Sequence, residues 1–162
     1  MNNGTTWGAI FDWDGVVVDS SAAHERSWEL LGEELGKELP SDHFKRGFGM
    51  KNVPIILHQL SWTADPDEAE RLGRRKEELY RGLVGHQGIE PLPGARTWIE
   101  SLNRSGIPCV VGSSTERANL EMATEAMGLG GCFRTFIASE DVSHGKPDPE
   151  VFLLCARALD LP

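Results

Sequence analysis

Three short apolar runs, each closing on polar residues, constrain this chain more than any other feature of its sequence. They are WGAIFD (Trp7 to Asp12), IPCVVGSS (Ile107 to Ser114) and RTFIAS (Arg134 to Ser139). Runs that are apolar throughout, rather than alternating, suit parallel strands covered on both faces. Helical patterns lie ahead of the second run, between the second and the third, and after the third. Gly94 to Ser105 begins after Pro93 and ends at Gly106, and Glu116 to Met127 ends at Gly128 with Leu120, Ala123 and Met127 on one face. A last helix over Pro149 to Leu159 carries Val151, Phe152, Cys155 and Leu159 on its apolar side. Such alternation predicts an α/β chain with a Rossmann-like parallel sheet, whose ligands gather at the carboxyl ends of the strands.

The stretch from Ser20 to about Glu90 is of another kind. SAAHERSWELLGEELG, VPIILHQL and DPDEAERLGRRKEELYRGL read as helices, with Asp65 or Asp67 as cap of the third and Glu68, Glu70 and Arg74 giving helical charge pairs. A helical block between the first strand and the rest of the sheet predicts a cap over the strand ends. The expected division is a discontinuous core, 1–18 with 91–162, and a helical cap, 19–90.

Composition narrows the partners. A formal net charge of -9 repels nucleic-acid backbone and anionic membrane, so neither is expected. Cys109, Cys132 and Cys155 are widely spaced and odd in number, which predicts reduced thiols and no zinc site. The amino terminus has no basic region followed by an apolar run, and no apolar stretch reaches the ~20 residues of a membrane span. A cytoplasmic protein, monomer or weak dimer, is expected. An anionic ligand would then need local positive charge at its site.

The chemistry-bearing residues fall at the strand ends. Asp12 and Asp14 are two residues apart in Asp12-Trp13-Asp14-Gly15, and Gly15 permits a sharp departure from the sheet. Two carboxylates so close call for a cation or a shared proton. Phosphoryl transfer uses both, one carboxylate as nucleophile and the other as general acid and base. The alternative is an ordinary Asp-rich turn. Gly112-Ser113-Ser114-Thr115 ends the second run; its hydroxyls and N–H groups suit a phosphoryl oxygen, or else Ser114 or Thr115 simply caps the next helix. Lys146 stands in Gly145-Lys146-Pro147-Asp148-Pro149, where the prolines stiffen the loop, so its ammonium is expected to be held against Asp12 and an incoming phosphate. The alternative is a surface lysine at a helix start.

Together, FDWDGVVVDS (Phe11 to Ser20), VVGSST (Val110 to Thr115) and HGKPDPEVF (His144 to Phe152) closely resemble the haloacid dehalogenase superfamily. The helical insertion resembles the small cap of the subgroup containing beta-phosphoglucomutase and many small-metabolite phosphatases. The resemblance implies Asp12 as nucleophile, Asp14 as general acid/base, and Mg²⁺ held by the Asp12 side chain and the Asp14 carbonyl. It also implies that Ser113, with Ser114 beside it, holds the transferring group, and that Lys146 bridges that group and Asp12. A small phosphorylated metabolite is the implied substrate, hydrolysed through an aspartyl-phosphate.

Asp14 separates this chain from the superfamily's dehalogenases and phosphonate hydrolases, which lack an acid/base there. A sugar-phosphate mutase remains the alternative, but the loop Gly47-Phe48-Gly49-Met50-Lys51 has no arginine for a second phosphate, and Lys51 lacks the bidentate fork. His24, one turn from Trp28, either touches substrate or orients Asp14, or is a plain helix-face histidine. Lys51 and Asn52 either face the pocket or belong to a solvated loop. Arg74-Arg75-Lys76 reads as a solvated helix face. A phospho-receiver domain is disfavoured, since its aspartate lies on a middle strand.

The superfamily's fourth motif, an acidic pair completing the metal site, is absent before Leu161-Pro162. Glu140-Asp141 precedes Lys146 and is not that pair. The remaining ligands are expected beyond Pro162 in a longer enzyme; the alternative is an inactive short chain serving as a binding or regulatory module.

Overall fold

The computed structural model describes residues 7–161; Met1–Thr6, which bear on the expectation of no leader, and Pro162 lie outside the described residues. Each apolar run yields one short strand: β1 (Ala9–Phe11), β2 (Cys109–Gly112) and β3 (Thr135–Ile137). They pair in parallel in the order β1-β2-β3, with Ile10 opposite Val110 and Val111 opposite Phe136. The central strand, β2, is buried at every position, as an unbroken apolar run demands. β1 has a neighbour on one side only among the described residues, and Ile10 is 38% exposed. The strands are shorter than the runs, so Asp12, Ser113 and Ser139 fall just past carboxyl ends.

The sheet is covered on both faces. Cys109 and Val111 point into a cluster with Ile99 and Leu102 of α5 (Ala95–Arg104) and Leu120 and Ala123 of α6 (Arg117–Ala126). Val110, between them in sequence, packs instead with Cys155 of α7 (Glu150–Ala158) and with Leu159. Gly112 permits the close approach of α7: a Cβ there would stand 2.7 Å from Cys155 Sγ. Burial pushes the Cys155 thiol up to about 11, against the opposing pull of Lys146.

The alternative reading of Ser114 or Thr115 as the cap of α6 does not hold. Glu116 occupies the N-cap without a side-chain bond, and the Glu140 carboxylate, from the 3₁₀ turn after β3, accepts the Arg117 N–H at 3.1 and 3.2 Å. Ser114 and Thr115 are thereby released from capping.

Residues up to Asp19 and from Ile89 onward form one compact unit, and Ser20–Gly88 form another. The second is all helical: α1 (Ser21–Leu35), α2 (His43–Gly47), α3 (Asn52–Pro54) running into a π-helical turn (Ile55–Gln59), and α4 (Pro66–Gln87). Asp65 caps α4, accepting the Asp67 N–H at 3.0 Å. Trp28, Leu31, Ile55, Ile56, Trp62 and Ala69 make its core. The reading of Arg74-Arg75-Lys76 as wholly solvated is wrong at its last residue. Arg74 and Arg75 are exposed, whereas Lys76 is 2% exposed. The reason is helical period: Ala69, Gly73, Lys76 and Tyr80 lie on one buried stripe. No helix among the described residues is long and apolar enough to cross a membrane.

Candidate active site

Asp12 follows β1 directly and is anchored by its neighbour. The Trp13 N–H donates to Asp12 Oδ1 at 2.8 Å, and the Trp13 ring is fully buried, edge-on to Phe133. The chain then turns tightly, with the Val17 N–H on the Trp13 carbonyl at 2.8 Å and Gly15 at φ +77°. Asp14 sits inside that turn, half-buried.

Lys146 reaches Asp12 from the loop before α7, its Nζ 2.6 Å from Oδ1. The loop is tied at both ends. Glu150 accepts the N–H groups of Ser143 (3.1 Å) and His144 (2.8 Å), and Asp148 accepts the Glu150 N–H at 2.9 Å. Those two backbone donors hold the Glu150 carboxyl below its ordinary value. Lys146 also lies over the Phe152 ring, 5.3 Å from its centroid. A lysine so placed is not a waving surface side chain. With Oδ1 occupied by Lys146 and Trp13, Asp12 Oδ2 has no partner among the described residues. The pair remains accessible, at 21% for Lys146 and 40% for Asp12.

Ser113 follows β2 and is 2% exposed. Its N–H donates to the Ile137 carbonyl at 2.9 Å, while its Oγ accepts the Thr115 N–H at 3.0 Å, so the hydroxyl proton remains to be donated elsewhere. Ser114 is half-buried in the same turn. Thr115 Oγ1 donates to Asp14 Oδ2 at 2.5 Å. Asp12 with Lys146, and Asp14 with Thr115 and Ser113, therefore assemble at the carboxyl ends of adjacent strands. The Thr115 contact was missed in the sequence because a hydroxyl before a helix reads as a cap.

Asp12 and Asp14 offer hard oxygen donors and no nitrogen or sulfur, a donor set that suits Mg²⁺. Among the described residues no group of three or more acidic, His or Cys side chains is arranged to hold a metal ion. Glu140-Asp141 is otherwise engaged: Asp141 Oδ2 accepts from Arg117 Nη2 at 2.6 Å and from the Ala138 N–H at 2.7 Å.

His24 and Lys51 belong to the helical unit. The His24 ring stacks on Tyr80, centroids 4.0 Å apart and 9° from parallel, and its Nδ1 lies 2.7 Å from Lys76 Nζ. An ammonium only donates, so Nδ1 accepts and the ring proton is assigned to Nε2. Lys76 also pairs with Glu77 at 2.9 Å, and Asn52 Nδ2 donates to the same Glu77 oxygen at 2.7 Å. Burial pushes the Glu77 carboxyl up, but the Lys76 charge, the neighbouring His24 and the hydrogen bonds from Asn52 and Lys76 together outweigh it and hold it below its ordinary value. Lys51, half-buried, precedes Asn52 at the start of α3.

A sequence model of the haloacid dehalogenase-like hydrolases matches residues 8–162. The chain is 38% identical over 161 residues to the chloroplastic 5-amino-6-(5-phospho-D-ribitylamino)uracil phosphatase of Arabidopsis thaliana, covering 97% of this chain and 43% of that protein. It is 31% identical over 157 residues to a fructose-1-phosphate phosphatase of Escherichia coli, covering 94% of this chain and 79% of that one. Among solved structures, a hydrolase from Pseudomonas syringae superposes with a TM-score of 0.81 at 26% identity, over 96% of this chain and 72% of that one. The chain thus spans less than half of the plant relative and about four-fifths of the bacterial one.

Proposed function

From the premise that this chain belongs to the haloacid dehalogenase-like hydrolase family, we propose that it carries the nucleophile of a phosphatase acting on a small phosphorylated metabolite. One observation carries the reading: Lys146 is fixed 2.6 Å from Asp12 Oδ1 while Oδ2 has no described partner. A lysine there neutralises the repulsion between carboxylate and phosphate dianion without consuming the attacking oxygen. Both named relatives are phosphatases of phosphorylated metabolites, which supports the same substrate class.

In the proposed reaction Asp12 Oδ2 attacks phosphorus in line. The Asp12–phosphorus bond forms as the ester P–O bond breaks, and the leaving oxygen keeps its electron pair and takes a proton from Asp14. Asp14 then takes a proton from water, whose oxygen displaces Asp12 and releases inorganic phosphate. Ser113 and Ser114 hold phosphoryl oxygens, and Lys146 bridges phosphate and Asp12. Mg²⁺ would be held by the Asp12 carboxylate and the Asp14 backbone; such an ion supplies charge stabilisation at the phosphoryl oxygens. The helical unit is the proposed cap, with His24 and Lys51 as its candidates for substrate contact.

The test is hydrolysis of an aryl phosphate with Mg²⁺ by the wild type and by Asp12→Asn. Turnover by the wild type and none by the variant is expected. An Asp12→Asn protein that keeps its rate removes the nucleophile from the account.

A further inference from the structure

Thr115 is fixed at three points. Its N–H donates to Ser113 Oγ at 3.0 Å, its carbonyl accepts the Ser139 N–H at 3.1 Å, and its Oγ1 donates to Asp14 Oδ2. It is 8% exposed and caps no helix. Ser139 begins the turn that carries Glu140 and Asp141, and those carboxylates bind the Arg117 N–H and guanidinium. The segment from Ser113 to Arg117 is therefore braced against the end of β3, and its hydroxyl crosses to the end of β1.

From this geometry we infer that Thr115 is a positioning residue for the general acid/base: its hydroxyl fixes the rotamer of Asp14 and assigns the transferable proton to the other carboxyl oxygen. The inference rests on the phosphatase reading and deepens it. A hydroxyl donor at Oδ2 makes that oxygen an acceptor, so when Asp14 is protonated the proton resides on Oδ1. A carboxyl group free to rotate would present either oxygen to the leaving group, and small losses of alignment are expensive in proton transfer. The same turn would then serve two groups at once, Ser113 toward the phosphoryl oxygens and Thr115 toward the acid.

Leaving-group dependence separates positioning from mere structure. A nitrophenolate departs without a proton; the alkoxide of glycerol phosphate does not. In the proposed reaction kcat/KM reports steps through formation of the aspartyl-phosphate, so it senses Asp14 as acid and not as base. Thr115→Val is expected to lower kcat/KM for glycerol phosphate by at least about tenfold more than for nitrophenyl phosphate, because general-acid assistance is worth ~10²–10⁴-fold where it is needed. Thr115→Ser, which keeps the hydroxyl, should restore most of the alkyl-ester rate. In an Asp14→Asn background, Thr115→Val should add no further discrimination between the two esters. Should valine disturb the turn, as a melting curve would reveal, Thr115→Ala gives the same comparison. Equal losses on both esters, or no recovery by serine, overturn the inference and leave the phosphatase reading intact. A wild-type protein inert toward both esters overturns the two together.

Discussion

Lys146–Asp12 and Lys76–Glu77 are lysine–carboxylate pairs of almost the same length in different surroundings. Lys146–Asp12 measures 2.6 Å with side chains 21% and 40% exposed; Lys76–Glu77 measures 2.9 Å with side chains 3% and 6% exposed. In the first, one carboxylate oxygen has no described partner and the pair is open to solvent. In the second, Lys76 is also bonded to His24 and lies over the Trp28 and Tyr80 rings, and Glu77 also accepts from Asn52. An exposed pair contributes little to stability, about 0–1 kcal/mol. A buried pair is costly to break because the surviving charge has nowhere to go. The contrast teaches that the same pairing of lysine with carboxylate is left open to solvent at the sheet edge and saturated among the helices.

The largest effect that would sharpen this contrast is on folding of the helical unit. Glu77→Gln or Lys76→Met should destabilise it by about 3–5 kcal/mol, while replacing both by apolar residues should cost much less. Denaturant unfolding of the single and double variants checks this, and equal costs for singles and double would break the comparison. Next, Lys146→Met should lower turnover by about 10²–10³-fold. Its melting midpoint should stay within a few degrees of wild type; a large drop would mean that the pair is structural after all.

A smaller effect is expected from pH. Glu77 is held below its ordinary value of 4.5, so its contribution is complete above that value and is lost as pH falls through the lower, folded one. The stability gap between wild type and Glu77→Gln should therefore be widest near neutrality and narrow below pH 4.5. A gap constant with pH would remove the charge argument for Glu77. Smallest of all, Asp65→Ala should cost roughly 1 kcal/mol through loss of the α4 cap. It should leave activity unchanged, and a lowered kcat with Asp65→Ala would show that cap order reaches the chemistry.

Much of the fold is legible in the sequence because strong signals agree there. The all-apolar VVG of β2 can only be a covered strand, and Gly106 and Gly128 punctuate the helices at their true ends to within a residue or two. The candidate site residues Asp12, Ser113 and Lys146 stand out in the sequence for the same reason, each lying where an apolar run or a proline-flanked loop stops. The short α2 is not legible, since it offers no full period, and VPIILHQL reads as helical without showing that Ile55–Gln59 takes the π form. Lys76 was hidden by residue type: a lysine beside two arginines reads as surface, although its spacing from Ala69, Gly73 and Tyr80 already placed it on the buried stripe. Thr115 was hidden by its position, because the sequence before a helix cannot say whether a hydroxyl turns to the backbone or across the sheet.

The central claim is that Asp12 Oδ2 takes the phosphoryl group. Acid quenching of a single turnover with a phosphate ester and Mg²⁺, followed by peptide mass mapping, tests it most directly. The account predicts one added phosphoryl group on the peptide holding Asp12, absent in Asp12→Asn and decaying as inorganic phosphate appears. Turnover with no modified Asp12 at any quench time, or a phosphoryl group on another residue, would contradict it.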